Sequence, residues 1–389
     1  MADFANKTAI AGIGATEFSK NSGRSELRLA VEATLTALAD AGIDPSEVDG
    51  MSSFTMDNNS EQEIFRAIGG RDLKFFTRIP QGGGGTCGPL QQAAMAISTG
   101  VANIVVCYRA MNERSEYRFG TPMSGLPPTS DNVVFAYHGF AGLMTPAAMI
   151  GMMMRRYMHE TGATSRDFAN YSVVARKHAA TNPNAFFYGK PITVEDHQAS
   201  RMIADPLRLL DCCQESDGGV AVVVVSAERA RALRQKPVLI RAAAQGSPAG
   251  TLGLASFYRA DISPRDECAA AARQLYETAR MTPKDIQVAI LYDHFGPTVL
   301  TSLEGYGFCA RGEAKDFIKG GNIEVDGTLP VNTHGGQLGE AYIHGMNGVA
   351  EAVRQLRGQA VNQVAGVHNV LVSAGSGVPT SAAILGIDG

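Results

Sequence analysis

The sequence predicts an α/β protein built from two similar halves. Short runs of Val, Ile and Ala, bounded by Gly and Pro, alternate with longer segments of helical periodicity, which is typical of α/β folds. In addition, residues 25–54 align without gaps with residues 263–292. Both copies contain a serine that is expected to cap a helix, an apolar helix, a Pro-containing turn and a strand. We therefore expect the two halves to share one topology.

Six segments are predicted as strands because small and β-branched apolar residues dominate them: residues 8–13, 104–108, 220–226, 238–242, 288–292 and 370–373. A helix is predicted over residues 25–41, where apolar side chains recur at helical spacing. Its expected buried face consists of Leu27, Ala30, Val31, Leu35 and Leu38.

The two halves are predicted to meet near Pro237, which divides the chain into residues 1–235 and 236–389. The first half is longer because of an insertion at about residues 113–206. Within this insertion, residues 149–158 are rich in Met and Tyr. Pliable Met side chains suit a loop domain that covers a substrate, but they suit a packed core equally well, and the sequence leaves both interpretations open.

Composition restricts the class of function. The chain has 389 residues, 45% of them hydrophobic, with a net charge of −4 and a pI near 6.1. This balance is typical of a globular protein and offers no basic face for nucleic acid. The sequence has no run of about 18 apolar residues for a membrane span, and its start does not resemble a signal peptide. We therefore expect a cytoplasmic protein that acts on a small molecule.

The cysteines argue against a metal site. None of them forms a CxxC pair, the spacing that zinc sites favour, so we predict reduced and mostly buried thiols and no bound metal. The six residues are Cys87, Cys107, Cys212, Cys213, Cys268 and Cys309.

Five short segments carry a family pattern: residues 157–162 (YMHETG), 182–185 (NPNA), 211–219 (DCCQESDGG), 331–336 (VNTHGG) and 345–348 (GMNG). In these segments the sequence resembles the thiolase superfamily, in particular the thiolase-like lipid-transfer proteins related to the sterol-carrier-protein thiolases. The resemblance implies the thiolase fold, with two βαβαβαββ halves in five-layered α/β/α/β/α packing and an inserted loop domain. It also implies a homodimer that forms through the first half.

The catalytic residues of thiolases are replaced at the matching positions. A thiolase needs a nucleophilic Cys in a turn at a helix N-terminus, where the helix dipole lowers the pKa of the thiol. Here this position falls on about Gly83, and Cys87 lies outside it; a shifted register in which Cys87 reacts remains an alternative. Tyr342 replaces the histidine that activates the nucleophile, and Tyr292 replaces an oxyanion-hole residue. The acid/base cysteine is absent from residues 373–377.

The two tyrosines are predicted to be the catalytic acid/base pair. Tyrosine fits both proton roles when its pKa of about 10 is lowered by neighbouring donors or positive charge. Asp293 is expected to brace the backbone, and the other supporting residues are His294, His344, Asn332 and His334, of which the first two are also acid/base candidates. Gly83, Gly84, Gly375 and Gly377 are expected to let the backbone approach a thioester oxygen.

Without a Cys nucleophile, such a site suits reversible aldol cleavage of a β-hydroxyacyl-CoA. This reaction needs an acid, a base and donors to an enolate, but neither a covalent intermediate nor a cofactor. Within the family, the resemblance is to bacterial aldolases that cleave a 17-hydroxy steroid acyl-CoA to a 17-ketosteroid and propionyl-CoA. A non-catalytic lipid-binding, acyl-CoA-binding or scaffold protein is the alternative, and residual thiolase activity through Cys87 is the third hypothesis.

A protein partner is also expected. Relatives in this branch associate with a small OB-fold, acyl-CoA-associated protein. The sequence shows no obvious basic cluster for the CoA phosphates. We therefore expect such a partner to complete the CoA site.

Overall fold

A computed structural model describes residues 4–55, 59–121, 138–251, 253–254, 256 and 258–388. Its strands are β1 (Thr8–Ala15), β2 (Gly50–Phe54), β3 (Phe75–Ile79), β4 (Ile104–Asn112), β5 (Met202–Ala204), β6 (Leu207–Arg208), β7 (Asp217–Ser226), β8 (Val238–Gly246), β9 (Val288–Ile290), β10 (Asn369–Ser373) and β11 (Thr380–Gly386). All six predicted strands are confirmed, although β9 ends two residues before the predicted limit.

The helices are α1 (Glu26–Ala41), α2 (Glu61–Ala67), α3 (Gly88–Ser98), α4 (Pro146–Thr161), α5 (Ser165–Thr181), α6 (Val194–Ala199), α7 (Ala227–Arg231), α8 (Asp266–Ala279), α9 (Thr298–Gly305), α10 (Ala314–Phe317), α11 (Gly336–Gly339) and α12 (Met346–Arg357). Within the described residues, none of them is both long enough and apolar enough to cross a membrane.

Nine strands form one mixed sheet in the order β3-β2-β4-β7-β1-β8-β11-β10-β9. The first five strands belong to the first half and the last four to the second. The halves join where β1 pairs with β8 through only two residue pairs, Ala9 with Leu239 and Ile10 with Val238. In the second half, the counterpart of β3 is reduced to a single bridge between Ala289 and Val331.

The helices separate the two groups of strands into layers. Helices α3 and α12 contact strands of both halves and therefore lie between them. Helix α1 covers β1, β4 and β7 on one outer face, and α8 covers β8 and β11 on the other. This arrangement corresponds to the five layers expected of the thiolase fold.

The sequence repeat is a structural repeat. Helix α1, a 3-10 turn at Pro45–Glu47 and β2 correspond to α8, a 3-10 turn at Pro283–Asp285 and β9. The capping differs between the copies. Ser25 caps α1 by accepting a hydrogen bond from the Arg28 backbone N–H, whereas α8 follows Arg265 without a side-chain cap, so the expected serine cap of the second copy is wrong.

The predicted buried face of α1 is also partly wrong. Leu35 is 39% exposed, and the buried side chains are Leu29, Ala30, Ala33, Thr34, Ala37, Leu38 and Ala41 besides Glu26. The reason is the close contact with β1. A Cβ atom at Gly12 would lie 2.1 Å from the Ala37 carbonyl oxygen, and one at Gly14 would lie 2.3 Å from that of Ala33. Alanines therefore lie where α1 crosses these two glycines, and Leu27 and Leu35 lie outside the buried face.

The Met-rich segment of the insertion lies on α4. Met149, Met153 and Met154 are buried in one core cluster with apolar residues of α8 and α9. Tyr157 donates a hydrogen bond to Glu304 Oε1 at 2.6 Å. This face of the insertion therefore belongs to a packed core. Residues 122–137 of the insertion lie outside the described residues, and the boundary at residues 235 and 236 remains a prediction.

Candidate active site

Tyr292 and Tyr342 meet at the centre of the molecule. Tyr292 follows β9 by two residues, and Tyr342 lies in the connection between α11 and α12. Their phenol oxygens are 3.0 Å apart and hydrogen-bonded. Both side chains are largely buried, with 4% and 7% exposure. Two residues that are 50 positions apart thus form one polar unit.

Backbone contacts hold both tyrosines in place. The Tyr292 backbone N–H donates to Ser373 Oγ at 3.0 Å, and the side chain of Asn332 both accepts from the Leu291 N–H and donates to the Leu291 carbonyl. The Tyr342 N–H donates to the Gln214 carbonyl at 3.1 Å. Asn332 therefore fixes the strand end before Tyr292 and makes no contact with the cavity described below.

Asp293 faces away from the phenols and braces α11. Its carboxylate accepts hydrogen bonds from the Gln337 and Leu338 backbone N–H groups and from the Tyr171 hydroxyl, at 2.7, 3.4 and 2.7 Å. Burial raises the pKa of Asp293 to about 6, and the hydrogen bonds partly oppose this shift. Asp293 therefore fixes the connection that carries Tyr342.

A cavity of about 250 Å³ opens beside the tyrosines. Its apolar wall consists of Tyr117, Phe119, Pro146, Leu254 and Val378. Its polar wall includes Tyr292, Tyr342, His294, His344 and Ser376, together with the backbone at Gly82–Gly84 and Gly375. The predicted catalytic tyrosines and both acid/base histidines thus line one space.

The predicted glycines leave space for neighbouring groups, and two of their N–H groups form backbone hydrogen bonds. A Cβ atom at Gly83 would lie 2.0 Å from the Tyr292 phenol oxygen, and one at Gly84 would lie 2.2 Å from the Pro379 carbonyl oxygen. The N–H of Gly84 is used by the Gln81 carbonyl and that of Gly375 by the Gly83 carbonyl. The expected approach of the glycine backbone to a thioester oxygen stays a prediction. Gly377 lies beside Met153 with φ +81°.

Cys87 is a core residue. It is fully buried immediately before α3, its Sγ faces the Val372 carbonyl oxygen at 3.5 Å, and burial raises the pKa of its thiol. A reactive cysteine needs an accessible thiolate. The alternative in which Cys87 shifts register and reacts is therefore contradicted.

The histidines at the site are uncharged. Burial lowers the pKa of His294 to about 3, and burial, Arg109 and His294 together lower that of His344 well below its usual value. His334 has a pKa lowered to about 3, mainly by burial, but it faces Glu340 at 3.9 Å instead of the cavity. His334 therefore belongs to the scaffold.

The tyrosines are also uncharged. Burial raises the pKa of both Tyr292 and Tyr342 well above 10, and it outweighs the hydrogen bond that lowers the pKa of Tyr292. The expectation of a lowered phenol pKa is wrong for this site, because the cationic Arg109 is too weak an influence to offset burial. Burial therefore favours the protonated form of both phenols.

A second cavity of about 580 Å³ adjoins the first and shares Arg118, Phe119, Pro146, His294 and Tyr342 with it. Four basic residues line it: Lys20, Arg118, Arg176 and Arg201. No local sequence pattern predicts this cluster, because its members are far apart in the chain. Glu113 and Glu215 also line this cavity, and burial raises the pKa of Glu113 well above its usual range.

Within the described part of the chain, no group of three or more His, Cys, Asp or Glu side chains converges as a metal site would require. Further residues that the sequence interpretation missed are Arg109, Phe119, Ser373 and Ser216. They come from loops and strands whose proximity appears only in the fold.

The layered sheet is that of a thiolase-fold protein, and the Tyr292 phenol lies where a side chain at Gly83 would be. Residues 253–387 match the family model "Thiolase C-terminal domain-like". The solved structure of human mitochondrial 3-ketoacyl-CoA thiolase has the same fold, with a TM-score of 0.70 at 14% identity over 99% of both chains.

Three other relatives are much more similar. The 17-hydroxy-3-oxo-4-pregnene-20-carboxyl-CoA lyase of Mycobacterium tuberculosis is 60% identical over 98% of this chain and 99% of its own. The steroid side-chain-cleaving aldolase of Thermomonospora curvata is 60% identical over 98% of each chain. The solved structure of the Ltp2-ChsH2(DUF35) aldolase superposes with a TM-score of 0.95 at 59% identity over 99% of both chains. The chain belongs to the thiolase superfamily and, within it, to the family of steroid side-chain-cleaving aldolases.

Proposed function

We propose that this chain is a lyase that cleaves a β-hydroxyacyl-CoA by a retro-aldol reaction, with a 17-hydroxy steroid side-chain acyl-CoA as the substrate and a 17-ketosteroid and propionyl-CoA as the products. The observation that carries the proposal is the hydrogen-bonded Tyr292–Tyr342 pair, which lines a cavity where thiolases have a nucleophile. The assignment of the substrate follows the activity named for the relatives that are 60% identical.

The raised pKa values of the two phenols favour a proton relay over a free phenolate. In this relay, one tyrosine accepts the proton of the β-hydroxyl group while it passes its own proton to the second tyrosine. As the second tyrosine receives this proton, it gives its own proton to the α-carbon. The β-carbon to α-carbon bond breaks, the hydroxyl becomes a ketone and the thioester enolate becomes propionyl-CoA. Each phenol ends with one proton, so no phenolate accumulates.

The relay depends on the 3.0 Å bond between the phenols and operates through it in either direction. This bond also gives each of the two buried hydroxyl groups a hydrogen-bond partner. The enolate needs donors as well. His344, His294 and the Ser376 hydroxyl line the cavity, and Ser376 Oγ is buried without a hydrogen-bond partner.

The two cavities suggest how a CoA thioester would lie. The CoA phosphates would lie in the second cavity, because basic side chains line it. One of them, Arg176, stacks on Phe187 at 3.4 Å, and burial lowers its pKa to about 10. The acyl part favours the apolar wall of the first cavity. The bond to be broken would then lie where the cavities meet, beside Tyr342. In this proposal the CoA thioester is the substrate and no further cofactor is required.

We also propose a homodimer and a complex with a small OB-fold, acyl-CoA-associated protein. Strand β3 supports the dimer, because it is the outer strand of the first half and its Phe76 is 54% exposed. The similarity to the Ltp2-ChsH2(DUF35) aldolase supports the complex.

A product assay tests the proposed function. The purified chain, alone and with its partner, is incubated with 17-hydroxy-3-oxo-4-pregnene-20-carboxyl-CoA, and steroid ketone and propionyl-CoA are measured by mass spectrometry. We expect both products in equal amounts and none from the Tyr292→Phe/Tyr342→Phe double variant. Tight binding without products from the unmodified chain would instead indicate a non-catalytic acyl-CoA-binding protein.

A further inference from the structure

Arg109 contacts one of the cavity histidines. It lies on β4, only 1% of its surface is exposed, and its Nε donates a hydrogen bond to His344 Nδ1 at 3.2 Å. Arginine stays protonated in proteins and offers only donors. Because Nδ1 must accept this bond, it carries no proton, and the neutral ring keeps its proton on Nε2.

Other contacts fix the orientation of the His344 ring. Phe119 stacks on it at 5.1 Å and 24°, and the Phe54 ring lies 6.0 Å away. The Thr86 hydroxyl donates to the His344 carbonyl at 2.6 Å. The backbone of His344 has φ +47°, a strained conformation for a residue with a side chain. Strain of this kind persists only where the surroundings hold the residue in position.

We propose that Arg109 is a positioning residue that keeps His344 as an uncharged Nε2–H donor to the thioester oxygen of the acyl-CoA. The negative charge of the enolate develops on that oxygen when the carbon–carbon bond breaks. A donor that is already oriented stabilises this charge without reorganisation. His344 then transfers no proton, and the acid/base steps remain with the two tyrosines. This inference rests on the proposed function and adds the group that binds the enolate oxygen.

The tautomer of His344 is measured without any substrate. The protein is labelled with 15N-histidine, and long-range 1H–15N spectra are recorded, with the His344 signals assigned by comparison with the His344→Gln variant. We expect the Nε2–H form in the unmodified protein and a loss of this single form in Arg109→Met. Arg109→Lys, which keeps a cationic donor, is expected to restore it in part. A His344 ring with its proton on Nδ1 in the unmodified protein would overturn the inference.

Kinetics give a second readout. In Arg109→Met we expect kcat to fall by about 10- to 100-fold with little change in KM, because the lost interaction develops in the transition state. We expect the kcat/KM profile to gain no histidine ionisation near pH 6.5, because burial, the largest cause of the lowered His344 pKa, persists without Arg109. An unchanged kcat in Arg109→Met would contradict the inference.

Two further variants separate positioning from folding. Arg357 is also an arginine with a buried side chain, but it pairs with Asp40 and the Ala11 carbonyl away from the cavities, so Arg357→Met should lower stability without lowering kcat. If Arg109→Met does not fold, His344→Gln and His344→Leu decide the matter. Gln keeps an N–H donor and should retain at least ten times the kcat of the Leu variant; equal values would overturn the inference. If the unmodified chain shows no aldolase activity, the proposed function fails, and the spectra still determine the tautomer.

Discussion

The Tyr292 phenol occupies the space that a side chain at Gly83 would need. A Cβ atom on residue 83 would lie 2.0 Å from the Tyr292 oxygen, which is far inside any permitted contact. Residue 83 therefore cannot carry a side chain while this phenol stays in place.

Substitution at Gly83 should abolish the reaction. In Gly83→Cys and Gly83→Ala we expect the displaced phenol to lower kcat by at least about 10²-fold and overpacking to lower the free energy of unfolding by about 1–3 kcal/mol. Gly83→Cys should not gain thiolase activity, because the activating histidine is also missing. Gly139→Ala, where the nearest neighbour is the flexible Met144 side chain, is the control. Normal turnover by Gly83→Ala would show that a side chain at residue 83 and the Tyr292 phenol can be accommodated together.

Each tyrosine should be necessary for turnover. Tyr292→Phe and Tyr342→Phe are expected to lower kcat by about 10² to 10⁴ each, and their combined effect should be less than additive because one relay contains both groups. Tyr157→Phe is the matched control. It removes a buried phenol that bonds Glu304, outside the cavities, so it should lower stability but not kcat. Fully additive effects of the two substitutions would argue for separate acid and base steps.

Cys87 should be dispensable. Its thiol faces the Val372 carbonyl in the core, and its pKa is raised by burial, so no thiolate is available. We expect Cys87→Ala to retain most of its kcat, and we expect intact-mass spectra during turnover to show no acyl adduct. An acyl group trapped on Cys87 would return the protein to thiolase chemistry.

Activity should persist in alkaline solution. The relay requires both phenols to be protonated, and burial raises the pKa of Tyr292 and Tyr342 well above 10, so the active form is lost only as the pH rises through those values. We therefore expect kcat to lack an ionisation of these residues between pH 6 and about 9.5. A phenolate absorbance band that rises with activity over this range would show that one tyrosine acts as an anion.

Asp293 should make stability depend on pH. Burial raises its pKa from 3.8 to about 6 in the folded state, so the folded protein binds a proton that the unfolded chain releases. This contribution to stability is complete below pH 4 and is lost as the pH rises towards 6, which amounts to about 3 kcal/mol at about 1.4 kcal/mol per unit. The free energy of unfolding of the unmodified protein, relative to Asp293→Asn, should therefore fall between pH 4 and 6. A difference that is constant or rises with pH would contradict the shift.

The sequence predicted those features that depend on local pattern. It identified six strands and the repeated helix, turn and strand, and family motifs indicated that Tyr292 and Tyr342 would converge. It could not predict the buried face of α1, because contact with Gly12 and Gly14 overrides the preference for large apolar residues. It also missed Arg109 and the four basic residues of the second cavity. These groups become neighbours only through long-range packing, for which no local pattern exists.

The burial of α4 has a consequence for the order of folding. This helix is synthesised well before α8 and α9, yet its methionines pack with residues of those two helices. During translation this face of α4 can pack with Phe168 and Tyr171 of α5, but it lacks its partners on α8 and α9 until the second half emerges. Premature termination after the first half would therefore leave part of an apolar face uncovered.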